Sequence, residues 1–476
     1  MVRLMTMNFK KIFFTFLVSL ILFSCKKDLT VNATATPTTV TSATVNNWIY
    51  QTMSNYYLWS TNMPTLAKTN VNLDPMNYFT SILYDHGNTD RFSWIDSSSS
   101  NLINQLNGVN KILGVKINAF LIDNSKPDGD IALVIAYVLK GSPAEKGGIK
   151  RGDIILKVDG QTVTAKNYST ILQNEILTLS FGAFANNTFS AIDKTLKLTK
   201  VELQTNPILI DTVINWSGKK VGYFSYTQFL TSFDDSLRAI FGRFKSKGVN
   251  ELIVDLRYNG GGYVTSSNIL TELMVKDLGV RLNTVMNKKV YNAIYTEYLT
   301  KQNDNTAFVT KFQNESNNIG NLNRVFILTS NNTASASELI INNLKPFMDV
   351  ILVGEHTYGK NVGSFTITDD KNRWNYGLQP ITFKIANSLD QSEYGTVNGF
   401  IPNYQVVDNV LPYKLLGDPT ETLLNAALNV IGPVAYKANS TLQNSKITRK
   451  LIQPEALSDN RNLDRHDMFD RPHKQP

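Results

Sequence analysis

The sequence predicts a multidomain α+β protein with a small helical N-terminal unit, a β-rich middle domain and an α/β core. Two strand–turn–helix units carry the core assignment. Glu251–Leu256 is an apolar strand that passes through the turn Asn259-Gly260-Gly261-Gly262 into the helical run SNILTELM, and the pattern recurs from Arg324 to Met348. Such repeats build a substantially parallel sheet. The middle domain is predicted by the strand-like run IALVIAYVL at Ile131–Leu139 and an alternating strand at Ile154–Val158, and the helical unit by Trp48, Met53, Tyr56 and Trp59 at near-helical intervals. A length of 476 residues accommodates all three, at roughly 100 to 200 residues per domain.

From the N-terminus, Lys10 and Lys11 precede a twelve-residue, mostly apolar stretch, Ile12–Phe23, too short to span a bilayer as a mature helix. It ends in Leu22-Phe23-Ser24-Cys25, which resembles the lipobox of bacterial lipoproteins. That resemblance implies a signal peptide over residues 1–24, lipid attachment at Cys25, and a protein of the bacterial cell envelope: an outer-membrane lipoprotein facing the periplasm or the cell surface. The alternative is an ordinary secretory signal with a chance cysteine. Residues 25–45, rich in Thr, Ala, Ser and Asn, read as a flexible tether.

Composition narrows the chemistry. One cysteine excludes an intrachain disulfide and a cysteine-rich zinc site, and His86, His356, His466 and His473 have no metal-ligand spacing, so neither a metal nor a cofactor is expected. The net charge of +8 falls to +2 over residues 25–435 once the basic ends are set aside, and no Lys/Arg-rich run lies beside stacking aromatics. Nucleic acid is therefore not an expected partner.

Residues 46–100 are read as the helical unit, with a second helix over Asp74–Tyr84 and its aromatics packing a core. Residues 103–166 form the middle domain. Its segment GSPAEKGGIKRGDIILKVDG supplies a short helix at Pro143–Lys146, glycine stops and the strand Ile154–Val158. This block resembles a PDZ domain. In such domains, backbone N–H groups of a glycine-containing loop bind a peptide carboxylate while the peptide adds as a strand to the sheet edge. The resemblance puts that loop at Leu113, Gly114 and Val115, with an ordinary turn as the other reading of Gly114. Residues 167–219 are read as a bridging segment.

The core is expected over residues 220–435, with an amphipathic helix at Phe233–Lys245 and a closing helix at Asp418–Ile431. Its glycine turn lacks the spacing of a nucleotide loop. Two readings stay open for it, a tight turn and a set of backbone donors facing a developing oxyanion. Ser335 stands where strand gives way to helix. With Glu338 it satisfies the S-x-x-E capping box, and a helix N-terminus also suits a nucleophile. The candidate bases nearby are His356 and Lys360.

DLRYNGGG, TASASE and TYGK, in that order, resemble the core of the C-terminal processing (tail-specific) peptidases, in which a Ser/Lys dyad is spaced as Ser335 and Lys360 are here, and most closely the Bacteroidetes-type lipoprotein members. The resemblance implies a ClpP/crotonase-like core, Ser335 as nucleophile, Lys360 as base, and an oxyanion hole from the N–H groups of Gly261 and Ala336. It also implies polypeptide substrates with free C-termini and no cofactor. Two departures stand out: Ser364 where many members have Gln, and Asn403 where Asp is usual. A noncatalytic PDZ-bearing scaffold is the alternative function. The polar tail, residues 436–476, is expected to be disordered.

Overall fold

The computed structural model describes residues 40–432, 450–451, 457–460 and 464–471. The signal segment, Cys25 and nearly all of the tether lie outside the described residues. Residues from Thr41 onward form one unit; of Met1–Val40, only Val40 is described.

The N-terminal helix Ser42–Tyr56 starts where Thr41 caps it, and Pro75–Ser81 starts behind the Asp74 cap with proline in its first turn. Ile49, Met53, Tyr57 and Phe79 bury their side chains in one cluster with Tyr295, Phe365 and Phe383 of the core. The aromatic pattern read from the sequence is therefore a packing pattern, and this unit is held to the core by apolar burial.

In the middle domain the strands Val115–Leu121, Ile131–Val138, Ile154–Val158, Ile176–Ala185 and Thr188–Thr199 lie side by side, each antiparallel to the next. The helix Pro143–Lys146 forms where expected, with Ser142 capping it. Residues 167–219 differ from the bridge expected. Their first part is a β-hairpin of this same sheet, Val201–Gln204 pairs with Val109–Ile112, and Ile208–Trp216 is already an edge strand of the core. The alternating run at Thr195–Val201 reads as strand-like and falls mostly in this hairpin, whereas the remainder of Thr188–Thr199 is mostly exposed and shows little apolar alternation.

The core sheet has the order Ile208–Trp216, Lys219–Tyr226, Glu251–Asp255, Arg324–Thr329, Asp349–Gly354, Tyr404–Gln405, parallel after its first pair. One face is covered by the helices Asp234–Ser246, Val264–Met274 and Ala336–Leu344 through Phe241, Leu270 and Ile340; the other is covered by Thr422–Ile431 through Leu424 and Leu428. Both parallel-strand crossovers expected from the sequence are present, so the C-terminal ends of Glu251–Asp255 and Arg324–Thr329 bring the glycine turn and Ser335 to one edge of the sheet.

Beneath that edge lies a buried ionic network. Arg257, fully buried, donates through Nε to Asp255 (3.0 Å) and through both terminal nitrogens to Glu421 (2.7 and 2.9 Å). Arg151 of the middle domain joins it, donating to the Tyr258 hydroxyl (2.8 Å) while Tyr258 donates to Asp408 (2.5 Å). The RGD turn thus docks the middle domain onto the residues that follow the strand Glu251–Asp255.

The described residues of the tail, 450–451, 457–460 and 464–471, depart from the disorder expected of residues 436–476; the rest of that range lies outside the described residues. Leu457–Ser458 pairs antiparallel with Val115–Leu121, and Met468–Asp470 lies between Gly262–Tyr263 and Val362–Phe365 as an inner strand of a second core sheet. Met468 and Phe469 are buried. Strands of two or three residues are too short to show an amphipathic period, and Met468–Asp470 is sheltered by neighbours on both edges, so composition alone gives no sign of them.

Candidate active site

Two loops form the floor of the site and are laced together. Ala334 N–H and the Ser337 hydroxyl both donate to the Asn259 carbonyl (3.1 Å each), and the Ser330 hydroxyl donates to the Arg257 carbonyl. The glycine turn is therefore fixed to the turn that carries Ser335. Ser335 itself has φ +59° and ψ −115°, a conformation that L side chains disfavour and that is held only because the surroundings over-determine it.

Glu338 supplies much of that constraint. Its fully buried carboxylate accepts from Ser335 N–H (2.8 Å) and Lys360 N–H (2.9 Å) on one oxygen, and from Gly359 N–H (2.7 Å) and the Thr357 hydroxyl (2.5 Å) on the other. One side chain thus clips the serine turn to the lysine segment. Burial pushes its carboxyl up to about 7, against the pull of these donors. The sequence marks Glu338 only as half of a capping box, a role it fills at Ser335 N–H while also holding a segment some twenty residues away.

Lys360 is buried, with its amine 4.6 Å from the centre of the Phe92 ring. Desolvation lowers its pKa below the usual lysine value, and Asp467, Asp90 and Glu338 oppose the shift. Its Nζ donates to the carbonyl oxygen of His466 (2.5 Å), and the Ser335 hydroxyl donates to the same oxygen (3.3 Å). The two residues predicted from the sequence therefore converge on one peptide carbonyl. Ser364 is not a partner of this amine: its hydroxyl donates to the Met468 carbonyl (3.3 Å) and accepts from Gln379 (2.9 Å). Asn361 turns away to Ser392, and His356 bonds the neighbouring Thr357 carbonyl through Nδ1. His356 is thereby engaged away from Ser335.

The oxyanion donors need a correction. Gly261 N–H, predicted to face a substrate, donates instead to Asn259 Oδ1 (2.9 Å), and the donor facing the tail is Gly262 N–H, bound to the Asp467 carbonyl (2.6 Å). Gly261 matters by what it lacks. A Cβ there would stand 2.3 Å from the Asp467 carbonyl oxygen and 2.7 Å from Ser335 Cβ. Ala336 is the first residue of its helix, where backbone N–H groups have no intrahelical acceptor.

Leu113, Gly114 and Val115 present three successive N–H groups to a carboxylate of this same chain. They donate to the side chain of Asp459 at 2.7, 3.1 and 3.1 Å. Gly114 has φ +89°, and a Cβ on it would strike Ser142 at 2.3 Å, so both conformation and space call for glycine. Lys200, which no sequence motif singles out, donates to the Asp459 carbonyl (2.6 Å).

Three family models match this chain: Peptidase family S41 over residues 220–405, the Peptidase S41 N-terminal domain over 44–94, and a PDZ domain over 134–181. The core, residues 220–405, is matched by peptidase family S41. The chain is 24% identical over 305 residues to a chloroplastic C-terminal processing peptidase of Tetradesmus obliquus, covering 60% of this chain and 59% of that one. To a carboxyl-terminal-processing protease of Picosynechococcus it is 25% identical over 316 residues, covering 65% and 68%. It spans 59% and 52% of the length of two curated relatives it matches. The crystal structure of an S41-family protein from Bacteroides fragilis superposes with a TM-score of 0.67 at 28% identity, covering 81% of this chain and 96% of that one. The S41 architecture of N-terminal unit, PDZ domain and peptidase core is thus the fold of this chain, and the PDZ match extends past residue 166 into the hairpin that begins at Ile176.

Proposed function

We propose that this chain is a serine endopeptidase that recognises polypeptide C-termini through its PDZ loop and hydrolyses peptide bonds with Ser335 and Lys360. The observation that carries the reading is the convergence of the Ser335 hydroxyl and the buried Lys360 amine on one peptide carbonyl, beside the glycine turn. In the reaction the neutral amine takes the Ser335 proton as Oγ bonds to the carbonyl carbon. Backbone N–H groups of the glycine turn and the helix start receive the oxyanion. Collapse breaks the C–N bond and Lys360 passes its proton to the leaving amine; water then cleaves the acyl-serine by the same path. Glu338 positions both partners and touches no substrate.

The lowered pKa of Lys360 supports its role, because a lysine near its ordinary value of about 10.4 is almost wholly charged at neutral pH and accepts no proton. The experiment is hydrolysis of an unfolded polypeptide with a free C-terminus by the purified protein and by Ser335→Ala. Turnover lost in the variant supports the proposal. No turnover in either, with retained binding of C-terminal peptides, favours the scaffold alternative. For the anchor, we propose that Cys25 carries lipid and holds the protein at the bacterial envelope. Among the described residues no helix is long and apolar enough to cross a membrane. Cys25→Ser is expected to leave the membrane fraction, and its retention after a carbonate wash would refute the anchor.

A further inference from the structure

We propose that the segment around Asp459 and His466–Asp470 is an intramolecular inhibitor that occupies both the PDZ carboxylate loop and the dyad. Inhibition presupposes the peptidase reading above, whereas occupancy of the loop does not. At the first subsite, Leu457–Ser458 adds as an antiparallel strand to Val115–Leu121, the way a ligand peptide adds to such a sheet. The side chain of Asp459 then takes all three loop donors in place of a chain terminus. Nearby, Asp464 accepts from Lys116 (2.8 Å).

At the second subsite the His466 ring stacks on Tyr358 (3.9 Å), its carbonyl takes both dyad donors, and Asp467 binds Gly262 N–H. Met468–Asp470 completes a strand on the far side.

Two features make the segment an occupant rather than a substrate. A substrate whose C-terminus fills the loop reaches Ser335 with residues that precede its terminus. The segment runs the other way, meeting the loop at Asp459 and the serine only later, at His466. Secondly, the Ser335 hydroxyl and the Lys360 amine both donate to the His466 carbonyl oxygen, so the serine proton is directed away from its base. The carbonyl that takes a glycine-turn N–H belongs to the next residue. Attack requires one carbonyl to present its carbon to Oγ and its oxygen to the backbone donors.

A tethered segment competes at an effective concentration on the order of millimolar, so a free ligand of equal intrinsic affinity present at about 10 μM is outcompeted roughly a hundredfold. The test compares Asp459→Ala and a chain truncated after Gly432 with the parent. The first readout is binding of a fluorescent peptide ending in a free carboxylate, measured in the Ser335→Ala background so that no turnover is needed. Both changes are expected to tighten binding at least tenfold. The second readout is hydrolysis of an unfolded polypeptide, expected to rise at least fivefold and to fall again when a synthetic peptide of sequence 450–471 is added to the truncated protein. Tighter peptide binding in chains that hydrolyse nothing would uphold occupancy of the loop and sink the peptidase reading instead. Unchanged peptide affinity in Asp459→Ala overturns the proposal. A parent protein, but not Ser335→Ala, found shortened between His466 and Asp467 also overturns it, since the segment would then be a substrate.

Discussion

Glu338→Gln isolates the clip between Ser335 and the Lys360 segment, the two halves of the proposed dyad. The carboxylate receives four donors, two on each oxygen, and an amide has only one oxygen to offer. With the amide oxygen kept toward Ser335 and Lys360, the NH2 group faces Gly359 N–H and the Thr357 hydroxyl. The hydroxyl can rotate and accept, but the Gly359 N–H cannot, so one buried donor loses its partner. An unmet buried donor costs about 1–3 kcal/mol, which is the stability loss expected of Glu338→Gln. Glu338→Ala strands all four donors and opens a buried space, and is expected to lose about 4 kcal/mol or more. Denaturant midpoints measure both losses, and peptide hydrolysis gives a second reading: kcat should fall in Glu338→Gln with KM little changed, since the residue positions the dyad and touches no substrate. Stability within about 0.5 kcal/mol of the parent in both variants would refute the clip.

Activity should rise with pH along a limb set by Lys360, whose pKa burial holds below that of a free lysine; Lys360→Ala and Lys360→Arg should both abolish hydrolysis while His356→Ala retains most of it, and an active Lys360→Ala would overturn the assignment. Arg257→Met leaves Asp255 buried without its cation and Glu421 with Arg151 alone at 3.4 Å, so a loss of about 3–5 kcal/mol in chemical denaturation is expected, and a neutral result would deny that the network is closed. Gly114→Ala should weaken binding of free-carboxylate peptides about tenfold or more, by forcing a Cβ into Ser142, with thermal stability lowered as well. Unchanged peptide affinity in that variant would remove the loop from recognition.

The parts of this molecule that were legible in its sequence are those whose signals are local. Ser142-Pro143 is a local helix-start signal, so Pro143–Lys146 could be read directly, and so could the apolar strands that feed the two core turns. Ser335 and Lys360 were legible only jointly, through motif order and spacing, because each alone has an ordinary structural explanation. Glu338 was half visible: a capping box says nothing about the Thr357–Lys360 segment that the fold brings to the same carboxylate. The tail was illegible for a different reason. Asp459, His466 and Met468 gain their partners entirely from residues more than a hundred positions earlier, and nothing in their own neighbourhood distinguishes them from solvated tail residues. The placement of the Gly261 N–H depended on which way the Asn259 side chain turned, a choice of rotamer that no sequence pattern expresses.

The backbone of Ser335 bears on how this position is kept. At φ +59° a glycine would be relieved of about 1–3 kcal/mol of conformational strain, and it would keep the N–H that Glu338 binds. Folding taken alone therefore favours a chain without the hydroxyl. Drift toward stability would erase the serine long before it disturbed the fold, so a lineage that stopped using its hydroxyl should lose Ser335 to glycine while keeping Glu338, Asn259 and the glycine turn intact. Ser335 thus holds, at the centre of the proposed chemistry, a conformation that a glycine would adopt with less strain.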